Sequence, residues 1–119
     1  DRRQRQMCIR DRVNELYLTI AEDERLSKLI SEMMENSNLR KNLNPADQIS
    51  LDFVILTGLR RIENIHLQYL DGILSNDAFD RIGMNFYRKQ YAKETWEMYK
   101  GGFDSDFVAF FETFRDEVK

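Results

Sequence analysis

Cysteine, histidine and proline each occur once in this sequence of 119 residues. One cysteine, Cys8, cannot close a disulfide within the chain, so a disulfide-stabilised framework is excluded. One histidine, His66, is too few to build a zinc site from His and Cys ligands. A di-iron site in a helical bundle needs two Glu-x-x-His motifs, and only Glu63 to His66 has that spacing. We therefore expect no metal and no cofactor.

Long apolar runs are also missing, because no stretch reaches the roughly eighteen residues that a membrane span requires. No positively charged segment precedes an apolar stretch, so no signal peptide is visible. Hydrophobic residues make up 42% and charged residues 33% of the chain, which is typical of a soluble globular domain.

The first twelve residues differ from the rest. They contain five arginines and two aspartates, a net charge of +3, which leaves 13 basic and 19 acidic residues, a net charge of −6, in residues 13–119. Such a basic arm is typical of nucleic-acid binding. Back-translation of RRQRQMCIRDR, however, resembles the transposase adapter of short-read sequencing libraries in one unbroken frame. We interpret 1–12 as an adapter-derived segment from metagenomic sequencing, without packed structure, and expect no nucleic-acid partner.

Residues 13–119 then form the natural sequence, which we expect to be a single α-helical domain truncated at its N-terminus. Apolar residues recur every three or four positions from Val13 to about Asn36, as on one face of a helix. Asn44 and Pro45 form a helix start, and Gly72 follows a helix end.

The segment between those signals is apolar nearly all round in its first half, which favours a buried central helix. Asp104 or Ser105 suits the start of a last helix, in which Phe107 and Phe111 have core spacing. We predict an all-α fold, a bundle of four to five helices around the central apolar helix at about 45–71.

No catalytic motif is recognisable, and the acidic pairs near helix starts are explained by capping. The sequence therefore favours a non-enzymatic protein, with no catalytic residue assigned. An alternative is a small-molecule-binding or enzymatic bundle, because Glu63, His66 and Tyr69 share roughly one helix face and would line an internal pocket.

Aromatic residues are concentrated from Tyr69 onward, where twelve of the fourteen lie. Several alternate with basic residues, and Tyr and Trp of this kind are enriched at protein interfaces. We expect a partly exposed aromatic–basic binding surface at Tyr87, Tyr91, Lys93, Trp96 and Tyr99.

Four segments carry a resemblance to an uncharacterised bacterial family. These segments read AEDERLSKLISEMM, NLNPAD, LRRIENIHLQYLDGILSNDAFDRI and YAKETWEMYKGGFDSDF. The resemblance implies an α-helical domain that follows one N-terminal transmembrane helix, which is missing from this fragment. It implies no established activity. It places the domain on the cytoplasmic face of a bacterial inner membrane, with a soluble cytoplasmic protein as the alternative.

The resulting functional hypothesis is an α-helical interaction or sensory domain of a bacterial membrane-anchored protein. Its expected partner is another protein or a second copy of the chain, and the membrane is reached only through the missing helix.

Overall fold

The computed structural model describes residues 18–72 and 83–117. In these two ranges all regular elements are helical, which confirms the all-α prediction. The helices are α1 (Glu24–Glu35), α2 (Leu39–Asn42), α3 (Pro45–Leu70), α4 (Met84–Tyr87), α5 (Gln90–Tyr99) and α6 (Ser105–Asp116), with a 3₁₀ turn at Lys100–Gly102. Four of them have ten or more residues, in agreement with the predicted bundle.

Two predictions fall on residues that the structure does not describe. The adapter-like segment 1–12, with Met7, Cys8 and Ile9, is one of them. The other is a helix start at Ser75 or Asn76, which the sequence predicts because either side chain can cap a following helix.

The predicted first helix is divided at Asp23, because residues 18–22 are helical and α1 starts at Glu24. The Asp23 carboxylate accepts a hydrogen bond from the Leu26 amide at 3.0 Å and so satisfies a free donor of the first turn. Leu29 and Met33 then lie one turn apart on the buried face of α1.

Helix α3 begins and ends where its local sequence predicts. The Asn44 side chain accepts a hydrogen bond from the Asp47 amide at 2.9 Å, and Pro45 occupies the first turn, where its missing N–H costs nothing. Gly72 follows with φ 74°, a left-handed conformation that glycine adopts without a Cβ clash. At 26 residues, α3 is about 39 Å long.

The core lies between α3 and the helices α1, α5 and α6, all of which pack against it. Trp96 of α5 is at its centre, with ring centroids 4.6 Å from Phe111 and 5.3 Å from Phe103. Phe107 and Phe111 are fully buried one turn apart on α6, as their spacing predicts. The central position of α3 is therefore confirmed, although one of its faces remains open to solvent.

Candidate functional site

Three helices bring a charged cluster into the interior beside Tyr91. Arg40 comes from the single turn α2, Asp52 from the inward face of α3, and Thr95 from α5. Asp52 and Thr95 are buried, and the Arg40 guanidinium lies over the Tyr91 ring, 3.9 Å from its centroid. We call Arg40, Asp52 and Thr95 the polar cluster.

The polar cluster is closed by mutual hydrogen bonds. Arg40 donates Nη2–H to Asp52 Oδ1 at 2.9 Å and Nη1–H to Oδ2 at 3.3 Å, which is the two-pronged geometry that a guanidinium offers a carboxylate. Arg40 Nη2 also donates to Thr95 Oγ1 at 2.6 Å, and the Thr95 hydroxyl donates to Asp52 Oδ1 at 2.7 Å. Each member therefore contacts both of the others.

The charges of the cluster stabilise one another. Burial works against the charge of Arg40, but the hydrogen bond and charge of Asp52 outweigh it, so the pKa of Arg40 is raised. Burial, reinforced by the negative charge of Asp52, also raises the pKa of the Tyr91 phenol. Tyr91 is thus held protonated, and Asp52 has its charge compensated by Arg40. The cluster fixes the packing of α2 and α5 on α3.

The sequence contains one signal for this cluster that pattern reasoning missed. Asp52 is the only charged residue within the apolar stretch ISLDFVILTGL. A charge at such a position needs a buried partner. The partners are twelve and forty-three residues away, so spacing along the helix does not reveal them.

Glu63 and His66 lie together on the buried face of α3, where it meets α6. Glu63 Oε2 accepts the Asp104 amide N–H at 2.9 Å, and Oε1 accepts a hydrogen bond from Arg60 at 3.1 Å. The His66 ring stacks on Phe110, with centroids 4.4 Å apart and planes inclined by 28°. Glu63 thereby joins α3 to the start of α6.

Burial lowers the pKa of His66, although the negative charges of Asp104, Asp106 and Glu63 act in the opposite direction. Tyr69, the third residue of the predicted pocket, is half-buried. An open hollow of about 340 Å³ lies along α6, and none of the three predicted pocket residues lines it, although Phe110 on its wall stacks on His66. It is lined by Ala109, Phe110, Thr113, Phe114 and Glu117.

The predicted aromatic–basic surface is not formed as expected. Tyr91 and Trp96 are each 1% exposed, because α5 turns this face toward α3 and α6 and both rings belong to the core. The prediction of partial exposure is therefore wrong for these two residues. The Trp96 indole N–H donates to Glu112 Oε2 at 2.8 Å, and this bond is the main cause of the lowered pKa of Glu112.

The other members of that predicted surface have separate positions. Tyr87 is half-buried, and its hydroxyl reaches Gly58 so closely that a Cβ there would lie 2.3 Å from it. Lys93 is half-buried, and Tyr99 is 40% exposed at the end of α5. Most of these aromatic residues therefore contribute to packing between helices and not to an exposed binding surface.

The side of α3 that faces solvent carries several exposed apolar residues. Ile49 is 54% and Phe53 59% exposed, one turn apart. Successive exposed positions along the helix then follow at intervals of three or four residues. We call this set the outward stripe. It consists of Ile49, Phe53, Thr57, Arg60, Asn64 and Leu67, and the exposed Leu70 adjoins its end.

The residues that the structure describes contain neither a metal-binding group of side chains nor a membrane-spanning helix. In residues 18–72 and 83–117, no group of three or more His, Cys, Asp or Glu side chains is arranged to hold a metal ion. In the same ranges, no helix combines the length and apolar character that crossing a bilayer requires.

The fold defines an all-α helical domain. Comparison of the chain with profiles of known protein families, with curated proteins and with solved structures found no match.

Proposed function

We propose that this chain is a non-enzymatic α-helical interaction domain, which binds a protein partner through the outward stripe of α3. The observation that carries the proposal is the exposure of Ile49 and Phe53 side by side on the helix around which the domain packs. Contiguous apolar residues that remain in solvent mark binding surfaces more often than isolated ones do.

The contacts of the inward acidic residues also support this proposal. Asp52 is engaged by Arg40 and Thr95, and Glu63 by Arg60 and the Asp104 amide. These carboxylates therefore have structural partners that account for their burial. Among the residues that the structure describes, nothing covers the outward apolar side chains Ile49 and Phe53 to a similar degree.

A sensory role is the other form of the functional hypothesis, and attachment to a bacterial inner membrane is what the family resemblance implies. The gene read from an uncontaminated contig tests both the attachment and the adapter interpretation of residues 1–12. The expected result is a transmembrane helix, with basic residues on its cytoplasmic side, encoded upstream of Val13.

Photo-cross-linking in the native host tests the interaction proposal. A photoreactive amino acid is placed at position 53 in one variant and at position 31 in a matched control. Ser31 is exposed on α1, on the opposite side of that helix from the buried Leu29 and Met33. We expect discrete protein adducts of defined mass from position 53 and none of these bands from position 31. Absence of adducts at position 53, or the same bands from both positions, would contradict the proposed function.

A further inference from the structure

The exposed apolar residues of α3 lie in two groups, one toward each end of the outward stripe. We propose that the outward stripe binds a second copy of this chain, with the two α3 helices packed antiparallel around a two-fold axis close to Arg60. This inference rests on the proposed interaction function and specifies its partner.

The stripe is nearly symmetric about Arg60. Phe53 and Leu67 lie seven positions before and after it, and Ile49 and Leu70 lie eleven before and ten after. A two-fold interface places residue i against j and residue j against i. An antiparallel pair centred on Arg60 therefore sets Phe53 against Leu67 and Ile49 against Leu70, in both directions.

The polar residues of the stripe fit the same arrangement. Thr57 and Asn64 lie three and four positions from Arg60, so they face each other across the axis. Both are uncharged and supply hydrogen-bond donors and acceptors near the centre. Antiparallel packing also brings the positive end of each helix dipole close to the negative end of the other helix, whereas parallel packing brings like ends together.

Charge also supports this pairing. Arg60 is the single charged member of the stripe, and its guanidinium is already held within its own chain. It donates to Glu63 at 3.1 Å and to the Gly102 carbonyl at 2.9 Å, and it lies over the Phe103 ring at 4.0 Å. The stripe contains no acidic residue, although residues 13–119 have a net charge of −6. No acidic side chains therefore face each other along the stripe, and each of the two Arg60 charges near the axis is paired with Glu63 of its own chain.

The available area also supports a dimer. Each copy contributes four apolar side chains that are about half exposed. Together with the polar residues between them, two such faces along helices about 39 Å long bury roughly 1,000 Å² or more, which is the area that a specific interface needs. A dimer of moderate affinity is therefore expected.

Analytical ultracentrifugation of the purified full chain tests the dimer. Over a concentration series, we expect the mass to rise from one copy to two. Phe53→Glu should raise the dimer dissociation constant by about 30-fold or more, because it places a charge where the proposed interface buries a large aromatic side chain. Ser31→Glu adds the same charge on α1 and should leave the constant unchanged. Leu67→Glu, on the other side of the axis, repeats the test independently of whether Phe53→Glu folds.

Salt gives a second readout from the same instrument. Because the two copies have the same sign of charge and associate through an apolar face, added salt screens their repulsion. We expect dimerisation to strengthen modestly between low and physiological ionic strength. Marked weakening by salt would contradict an apolar self-interface.

Disulfide trapping tests the antiparallel geometry. In a Cys8→Ser background, Phe53→Cys and Leu67→Cys chains are prepared separately and then mixed. The proposed arrangement predicts a disulfide between the two different variants. It predicts none within either variant alone, since equivalent positions are about 20 Å apart along the helix. Efficient self-linking of Phe53→Cys would overturn the antiparallel pairing.

Different results would overturn the interaction function and the dimer. A chain that stays monomeric at all concentrations, with hetero-adducts from position 53 in the host, would overturn the dimer and leave the interaction function in place. A monomeric chain without any adduct from position 53 would overturn both.

Discussion

Asp52 and Phe53 are neighbours in the sequence, yet the charged side chain is 6% exposed and the aromatic one is 59% exposed. The inward face of α3 contains two acidic residues, Asp52 and Glu63, that each accept a hydrogen bond from another part of the chain, whereas its outward face contains the apolar residues of the stripe. The inward face is otherwise apolar, as is usual for an amphipathic helix, so Asp52, Glu63 and the exposed apolar residues are departures from that pattern at single positions. The comparison indicates that the inward charges specify how the helices pack, while the outward apolar residues serve contact with another molecule.

Removal of Asp52 is expected to have the largest effect. Asp52→Ala leaves the largely buried Arg40 guanidinium and the Thr95 hydroxyl without their carboxylate, which should lower the free energy of unfolding by about 3 kcal/mol. Urea denaturation followed by circular dichroism measures the loss.

Asp47→Ala is the matched control for that variant. Asp47 also lies on α3 and accepts a hydrogen bond from an arginine, Arg25, at 2.9 Å, but the Arg25 side chain is half exposed. A surface pair of this kind contributes less than about 1 kcal/mol. Equal losses for the two variants would show that burial of the Arg40–Asp52 pair has no special role.

Glu63 should have the next largest effect. Glu63→Ala removes the acceptor of the Asp104 amide at the start of α6, and we expect a loss of about 1–2 kcal/mol in unfolding free energy. Glu63→Gln keeps an acceptor oxygen and should lose less. Asn64→Ala, at the exposed neighbouring position, is the control. A Glu63→Ala loss no larger than that of Asn64→Ala would contradict the proposed bridge between α3 and α6.

His66 should add a smaller, pH-dependent effect. Its pKa is lower in the folded chain than the usual 6.5, so the unfolded chain takes up the proton first as pH falls. Stability is therefore complete above pH 6.5 and decreases as pH drops below it. Glu63, Asp104 and Asp106 face the ring and limit the size of this decrease.

Unfolding measured between about pH 7 and 5 tests this prediction, because the carboxylates titrate mainly below that range. His66→Gln removes the chain's single histidine and should flatten the slope there. An unchanged slope in the variant would show that another group is responsible.

Local signals predicted the start and end of α3 and the start of α6. The caps at Asn44 and Asp104 and the glycine stop at Gly72 depend on bonds between residues close in sequence, so the sequence contains the whole interaction. The core spacing of Phe107 and Phe111 was likewise correct, because periodicity reports which residues share a helix face.

Tertiary partners were not predictable in the same way. Periodicity shows which residues share a face of a helix but not which other helix packs against that face. The sequence therefore assigns Tyr91 and Trp96 to a surface, although α5 packs both side chains into the core. The polar cluster joins Arg40, Asp52 and Thr95 across long stretches of chain. An apolar run also does not show which of its residues remain outside, as Ile49 and Phe53 do.

The most direct test of the account compares Asp52→Ala with Phe53→Ser in urea unfolding at low protein concentration, where the chain is monomeric. We predict that loss of the inward carboxylate lowers the unfolding free energy by about 3 kcal/mol. Loss of the outward aromatic ring should change it by less than about 0.5 kcal/mol. A loss for Phe53→Ser as large as that for Asp52→Ala would mean that Phe53 belongs to the fold of the single chain, and would contradict the division between the two faces of α3.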